Sequence, residues 1–436
     1  MTDQADVGLS QVPQPEKKKK GWLSILGPGL ITGASDDDPS GIATYSQIGA
    51  QFGYGMSWTL LFSYPLMTAV QIISARIGRT TGRGIAGNLR KYYPNWLVYI
   101  SVAFLLVANI INIGADIGAM GDGIKLLVGG PEFFYALGIG ALCIVLQVFT
   151  SYKRYVNILK WLTLALLAYV ATLFMVKIDW SALARGLFIP SLSLDLKYVT
   201  GIVAIFGTTI SPYLFFWQAS QEVEDLNAED ERERLKDAPE QSKGALNRIS
   251  LDTFAGMGVS NLIALSILVT AAATLNAQGK TDISSSAEAA AALKPVAGAG
   301  AEILFVLGIV GTGLLAVPVL AGSAAYAVGE MFRLPTGLDR KPLNAKAFYG
   351  VIAVATAIGA ALNLTPINPI SALYWSAVIN GIVAAPIMFV LMLLSARQDI
   401  MGDGVISAGL KFWGWLATAV MTAAAVVVVT GAFLQR

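Results

Sequence analysis

The sequence predicts an all-α, polytopic membrane protein built as a five-plus-five inverted repeat with one additional helix. Three observations predict it. Of 436 residues, 55% are hydrophobic and 13% charged, against about 25% charged in an ordinary soluble domain. Apolar segments recur along nearly the whole chain, and by the rule of about 20 residues per membrane-crossing helix they number about eleven. The first and the sixth are interrupted by proline and glycine among polar residues, and paired interruptions at matching places in two halves are how an inverted-repeat architecture reads in sequence.

Residues 1–22 are polar and include Lys17-Lys18-Lys19-Lys20. They are expected to form a disordered cytoplasmic tail, and no signal-peptide pattern with a cleavage site follows. Residues 23–436 are expected to form one transmembrane domain. Its expected spans are 26–51, 58–77, 98–124, 134–150 and 157–176 in a first repeat of about 26–176. Spans 199–221, 251–275, 303–328, 347–362 and 368–396 make a second repeat of about 198–396, and 408–433 is the extra helix. Basic residues collect in loops on cytoplasmic faces of membranes. With the tail inside, those loops hold Arg79, Arg83, Arg90 and Lys91, then Lys153 and Arg154, the stretch 222–248, Arg333, Arg340, Lys341, Lys346 and Arg397. Lys177, Arg185 and Lys197 are the main exceptions on the other side. The expected location is the plasma membrane, with the lipid bilayer as surroundings. The stretch 222–248 mixes both signs of charge and reads as a solvated, partly helical linker. Most aromatic residues read as interface anchors or packing groups.

The first interruption runs Ser35-Asp36-Asp37-Asp38-Pro39-Ser40-Gly41. A charge at the bilayer centre costs at least a few kcal/mol, about 2.5–3.5 on insertion scales. Three carboxylates there must be hydrated, protonated or facing a cation. Pro39 opposes a continuous helix, and unwound backbone at this depth is tolerated where it lines a protein cavity. The second interruption is Gly207-Thr208-Thr209-Ile210-Ser211-Pro212-Tyr213, which offers freed carbonyls and hydroxyls. Together they imply an ion pathway.

Composition excludes much else. The chain has no histidine and one cysteine, Cys143. Histidine-based triads, imidazole relays, intrachain disulfides and a structural zinc site are ruled out. No nucleophile–base pair and no phosphate-binding glycine loop with its lysine is found, so an enzyme is not expected, nor a bound cofactor. Gly311-Thr312-Gly313 reads as a helix-packing contact. A formal net charge of +2 gives nucleic-acid binding no support.

At these residues the chain resembles the Nramp family of divalent-metal transporters, and within it the Nramp-related magnesium transporters. The family's first-helix motif Asp-Pro-Gly-Asn stands here as Asp38-Pro39-Ser40-Gly41, and its sixth-helix motif Met-Pro-His as Ser211-Pro212-Tyr213. The resemblance implies a LeuT-type fold and a metal site at Asp38, Thr208, Ser211 and Gly41, with Asp37 and Asp36 beside it. Asp38 matches the aspartate ligand and Thr208 the residue that gives a carbonyl. Gly41 lacks the amide oxygen, and Ser211 lacks the thioether sulfur that favours softer metals. A wider, all-oxygen site suits partly hydrated Mg²⁺, which gives up water reluctantly, and also Mn²⁺. The family's third-helix acidic pair is reduced to Asp116, with Ala119 at the other place, and its sixth-helix histidine is Tyr213. The expectation is therefore uptake by alternating access without proton coupling. Its rivals are a proton-coupled Mn²⁺/Fe²⁺ carrier and a cation-coupled amino-acid symporter of the same fold.

Individual roles stay open at this point. Asp36 and Asp37 bind metal-bound water, line a vestibule or cap the neighbouring half-helix. Thr208 and Ser211 are ligands or simple hydrogen-bonding groups of the helix break. Asp116 partners an arginine or borders a water path. Glu222 and Glu224, at the end of the sixth span, form an exit site or a solvated helix end. Asn380 bonds a neighbouring helix or takes part in gating, and Ala377 stands where the family has a glutamine, which widens the site.

Overall fold

In the computed structural model the described residues are 32, 33, 35–150, 163–229 and 231–434, and all their regular structure is helical. The tail 1–22 and the first part of the fifth expected span lie outside them. Twelve helices organise the rest: α1 (Pro39–Phe52), α2 (Ser57–Thr81), α3 (Ile85–Tyr92), α4 (Asn95–Val128), α5 (Glu132–Phe149) and α6 (Leu196–Thr209), then α7 (Pro212–Asn227), α8 (Ser242–Thr274), α9 (Ala301–Phe332), α10 (Lys346–Leu362), α11 (Pro369–Ala396) and α12 (Ala408–Leu434). Among the described residues eight helical stretches are long and apolar enough to cross a membrane, and α10 is a shorter apolar helix. Of the fifth expected span, Thr163–Leu166 and Leu167–Thr172 are helical. The count of eleven remains an expectation.

Both sequence interruptions are breaks of one or two residues. The helical residues Ser35 and Asp36 give way to a bend at Asp37, Asp38 is extended, and α1 starts at Pro39. In the other break α6 stops at Thr209, Ser211 is extended, and α7 starts at Pro212. The same physics sets each restart. Proline has no N–H to lose at the first helical position, and its fixed φ suits a helix start.

The bundle is closed by backbone contact between helices. A Cβ at Gly207 would lie 1.9 Å from the Ala377 carbonyl oxygen, and one at Gly381 would lie 2.5 Å from that of Val203. Small residues let α6 and α11 touch in this way, as interfaces inside membranes require. Outside, α4, α5 and α12 expose large apolar side chains, among them Phe104, Val107, Phe134, Val145, Phe412 and Phe433.

The stretch 222–248 differs from the solvated linker expected of it. Only its middle is loop, and that loop is pinned: Leu235 and Lys236 donate backbone N–H groups to the carbonyls of Arg79 and Thr80, each at 3.3 Å. Arg79 Nη1 reaches the Glu233 carbonyl at 2.6 Å, and Leu235 and Ala238 are buried. The segment between α8 and α9 carries the short helix Ser286–Ala290 and straps onto α1. Ile283 N–H donates to Gln47 Oε1 at 2.8 Å, and Asn276 Nδ2 donates to the Ala50 carbonyl at 2.7 Å. Beside this strap opens a cavity of about 590 Å³ lined by Gln47, Gln51, Asp195, Asp282 and Tyr374.

Gly207→Ala is expected to lower stability in detergent by about 1–3 kcal/mol, because overpacking outweighs the gain in helix propensity. A thermal-unfolding scan checks it, and an unchanged or raised midpoint contradicts the close-contact account.

Candidate metal centre

The break before α1 sets the direction of each of its carboxylates. Asp38 is the N-cap of α1: Oδ1 accepts from Gly41 N and from Ser40 Oγ, both at 2.8 Å. This satisfies a free helix-terminal donor, and the positive end of the helix dipole favours the carboxylate there. Its other oxygen, Oδ2, accepts from Asn112 Nδ2 of α4 at 2.9 Å. The same amide nitrogen lies 3.3 Å from Asp116 Oδ2, and Asn112 Oδ1 accepts from Asn380 Nδ2 of α11 at 3.0 Å. One hydrogen-bonded chain therefore runs from α11 through α4 to the first break.

Asp36 and Asp37 turn to a different wall. Ser260 Oγ of α8 lies 2.6 Å from Asp36 Oδ2 and 3.2 Å from Asp37 Oδ1. The capping role considered for these two belongs to Asp38 instead, because only the residue directly before Pro39 can reach the first N–H groups of α1.

The second break faces α1 through Thr208. Its Oγ1 lies 2.8 Å from both the Tyr45 hydroxyl and the Ile205 carbonyl oxygen. Ser211 Oγ lies 2.6 Å from the Gly207 carbonyl oxygen and 2.7 Å from that of Thr208. The hydrogen-bonding reading of these two hydroxyls is thus what the geometry shows. The single Thr208 proton can serve only one of its two partners, so with the Ile205 carbonyl accepting it, Thr208 Oγ1 accepts from the Tyr45 hydroxyl. Tyr213 Oη donates to the Ser35 carbonyl at 3.0 Å, tying the start of α7 to the first span. Gly41 forms a wall: a Cβ there would meet Tyr45 Cε2 at 3.3 Å, the Asp36 carbonyl oxygen at 3.4 Å and Asp38 Oδ1 at 3.6 Å.

Charge compensation is the unusual feature. Asp36, Asp37, Asp38 and Asp116 are each at most 2% exposed. Among the described residues no lysine or arginine forms an ion pair with any of them. Asp116 therefore lacks the arginine partner considered for it. Among the described residues Asp36 Oδ1 and Asp116 Oδ1 have no hydrogen-bond partner. Buried carboxylates without basic partners are costly and call for a cation or a proton. No group of three Asp, Glu, His or Cys residues that could hold a metal exists among the described residues. A cation here would meet at most one or two carboxylates, with neutral oxygens and water completing its shell.

The remaining expected residues lie elsewhere. Glu222 is not a solvated helix end: it is fully buried, because Arg248 Nη2 of α8 reaches its Oε2 at 2.5 Å. Glu224 is half-buried and accepts from the Tyr326 hydroxyl at 2.9 Å. Asn380 makes its expected bond to a neighbouring helix, and Ala377 is buried with its carbonyl against Gly207. Asn112, Ser260 and Tyr45 were not singled out by the sequence. Asn112 carried a faint signal, one helical turn before Asp116. Ser260 and Tyr45 carried none.

The family model described as Nramp, natural resistance-associated macrophage protein-like, matches residues 29–431. Similar solved structures include the manganese transporter of Eremococcus coleocola in complex with an aromatic bis-isothiourea substituted compound. It has TM-score 0.74 and 17% identity, over 98% of this chain and 91% of that one. A histidine-to-alanine variant of the same transporter has TM-score 0.72 and 16% identity, over 96% and 88%. The inward-facing conformation of Mhp1 has TM-score 0.52 and 13% identity, over 93% and 91%. These likenesses bear on the fold, which is that of LeuT-type transporters.

Asn112→Leu removes the donor that orients Asp38 Oδ2 while keeping the branching and the number of side-chain heavy atoms. It is expected to raise the half-saturating cation concentration about ten-fold or more, since a hydrogen bond to a charged group contributes about 1.5–3 kcal/mol. A concentration series of radiotracer or dye-reported influx checks it, and unchanged half-saturation contradicts the orienting role.

Proposed function

We propose a cargo and an energy source for this chain, which belongs to the Nramp family of divalent-metal transporters: it takes up partly hydrated Mg²⁺, and also Mn²⁺, by alternating access without proton coupling. The observation that carries this reading is a buried carboxylate, Asp38, held in the first helix break by Gly41 N, Ser40 Oγ and Asn112 Nδ2, with no basic partner among the described residues. We place one transmembrane domain at 23–436 in the plasma membrane, with the N-terminus and the basic loops in the cytoplasm.

Each residue has a stated part. Asp38 supplies the charged ligand, directly or through a bound water. The Asp36 carbonyl, the Thr208 carbonyl and the Ser211 hydroxyl supply neutral oxygens. Gly41 leaves room for the waters that Mg²⁺ retains at its octahedral positions, about 2.0–2.1 Å from the ion. Absence of thioether and imidazole removes the preference for softer metals. Asp37 and Asp36, joined at Ser260, add negative potential that favours a divalent ion over a monovalent one. Ala119 and Tyr213 cannot replace the family's titrating groups near neutral pH, and the Tyr213 proton is committed to the Ser35 carbonyl. The driving force is then electrical. A divalent ion gains about 4.6 kcal/mol per 100 mV of inside-negative potential, from about 2.3 per charge.

One observation favours a second reading, a proton-coupled manganese carrier. Asp116 is buried, has a free Oδ1, and connects through Asn112 to Asp38. Such a relay could carry a proton.

Proteoliposomes under a set potential separate the two. The expected result is Mg²⁺ influx without acidification of the lumen, while Gly41→Asn with Ser211→Met shifts the Mn²⁺ to Mg²⁺ ratio toward Mn²⁺ about ten-fold, equivalent to about 1.4 kcal/mol. Metal-dependent acidification, or influx of Mn²⁺ alone in the unsubstituted protein, overturns the magnesium reading.

A further inference from the structure

A second acidic cluster lies farther along α7. Glu222 follows Ser211 by eleven residues, which is about 16 Å at the helical rise of 1.5 Å per residue. Its Oε2 is 2.5 Å from Arg248 Nη2, and the same nitrogen lies 3.4 Å from Asp225 Oδ2. Asp252, 2% exposed, comes one turn after Arg248 on α8. Asp225 is also held from the outer side by Arg232. Arg79 is a third cation within electrostatic reach. Glu222 thus forms the dry part of the cluster and Asp225 its rim. The second oxygen of Glu222, Oε1, is buried and has no hydrogen-bond partner among the described residues. One guanidinium leaves this carboxylate half satisfied, whereas buried polar atoms are normally all paired.

A polar seam joins this cluster to the first helix break. Asp252, Gly256 and Ser260 share one face of α8 at four-residue spacing, the helical repeat. Ser260 holds Asp36 and Asp37 at the upper end. Gln218 and Glu222 share a face of α7 by the same spacing. The first span lies along this seam: a Cβ at Gly33 would stand 2.4 Å from the Gly256 carbonyl oxygen, and Thr32 Oγ1 donates to Gln218 Oε1. Thr32, Gly33 and Ser35 therefore lie across the route from Asp36 and Asp37 to Glu222.

The geometry points to Glu222 and Asp225, two carboxylates already spanned by one nitrogen of Arg248, as the release site of the transported divalent cation, with the Arg248 guanidinium seated in it as a tethered substitute while the route is closed. This rests on the reading of the chain as a divalent-cation carrier. When Thr32, Gly33 and Ser35 withdraw, the descending cation takes the carboxylates and Arg248 swings out. When the cation leaves, Arg248 returns, neutralises the site and opposes rebinding.

The test uses the full chain in detergent with Cys143→Ala, so that Thr253→Cys supplies the only thiol. Thr253 is fully buried, neighbours Asp252 and has an unpartnered hydroxyl. Arg248→Gln is expected to speed maleimide labelling of this thiol, and Mg²⁺ alone to slow it again about five-fold at a few times its dissociation constant. Adding Glu222→Gln is expected to abolish the protection, and adding Asp38→Ala to leave it intact. No protection in Arg248→Gln, protection that survives Glu222→Gln, or protection lost with Asp38→Ala overturns the release site. Should Arg248→Gln fail to fold, Arg248→Lys keeps the charge but not the fork that reaches two carboxylates. Faster labelling with partial Mg²⁺ protection is then expected, and labelling like that of the arginine protein overturns the proposal. Protection as expected in a protein that moves no Mg²⁺ would sink the transport reading alone.

Discussion

A carboxylate buried in the apolar interior of a helical bundle, with no basic partner among the described residues, is the constraint on which the rest of this molecule depends. Asp38 is tolerated because the chain is unwound at that point. Unwinding turns it into a helix N-cap, where two donors of its own segment and one amide from α4 hold its oxygens. The break in turn needs Pro39 to start the next helix cleanly. The second break, at Ile210 and Ser211, follows the same rule and brings hydroxyls and carbonyls toward the first. Neither break could be held at membrane depth without walls, and glycine-mediated backbone contacts provide them.

Those walls also explain why the carboxylates are sealed in this conformation. Thr32, Gly33 and Ser35 are bonded or packed against α7 and α8, so the first span closes the centre toward the Glu222 end. On the side of the Gln47 strap the chain leaves a cavity of about 590 Å³. The two ends are thus unequal, which is what alternating access requires of any single state.

Much of this was legible in the sequence, for physical reasons that can be named. Both breaks stand where proline follows a polar run inside an apolar span, and Asp38 was marked by its place directly before Pro39. The helical, membrane-spanning class followed from composition and periodicity. The partners of the carboxylates were not legible. Ser260 is a lone hydroxyl in an apolar helix, and nothing local shows that α8 turns it toward Asp36 and Asp37. Asn112 and Asn380 lie far apart in sequence, so their chain to Asp38 exists only through the packing of α4 and α11. Glu222 and Arg248 looked like parts of a solvated charge run, because their mutual burial depends on α7 and α8 meeting. Local patterns fix where a chain must break, and tertiary contact decides which polar side chains answer the break.

The most direct test of this account is the position of the cation itself. Anomalous diffraction from crystals grown with Mn²⁺ would locate it without assuming any transport mechanism. The account predicts a peak between the two helix breaks, within about 2.2 Å of Asp38 for direct coordination or about 4–5 Å through one retained water. A density peak away from both breaks, with Asp38 still bonded to Asn112 and Gly41 as here, would contradict it.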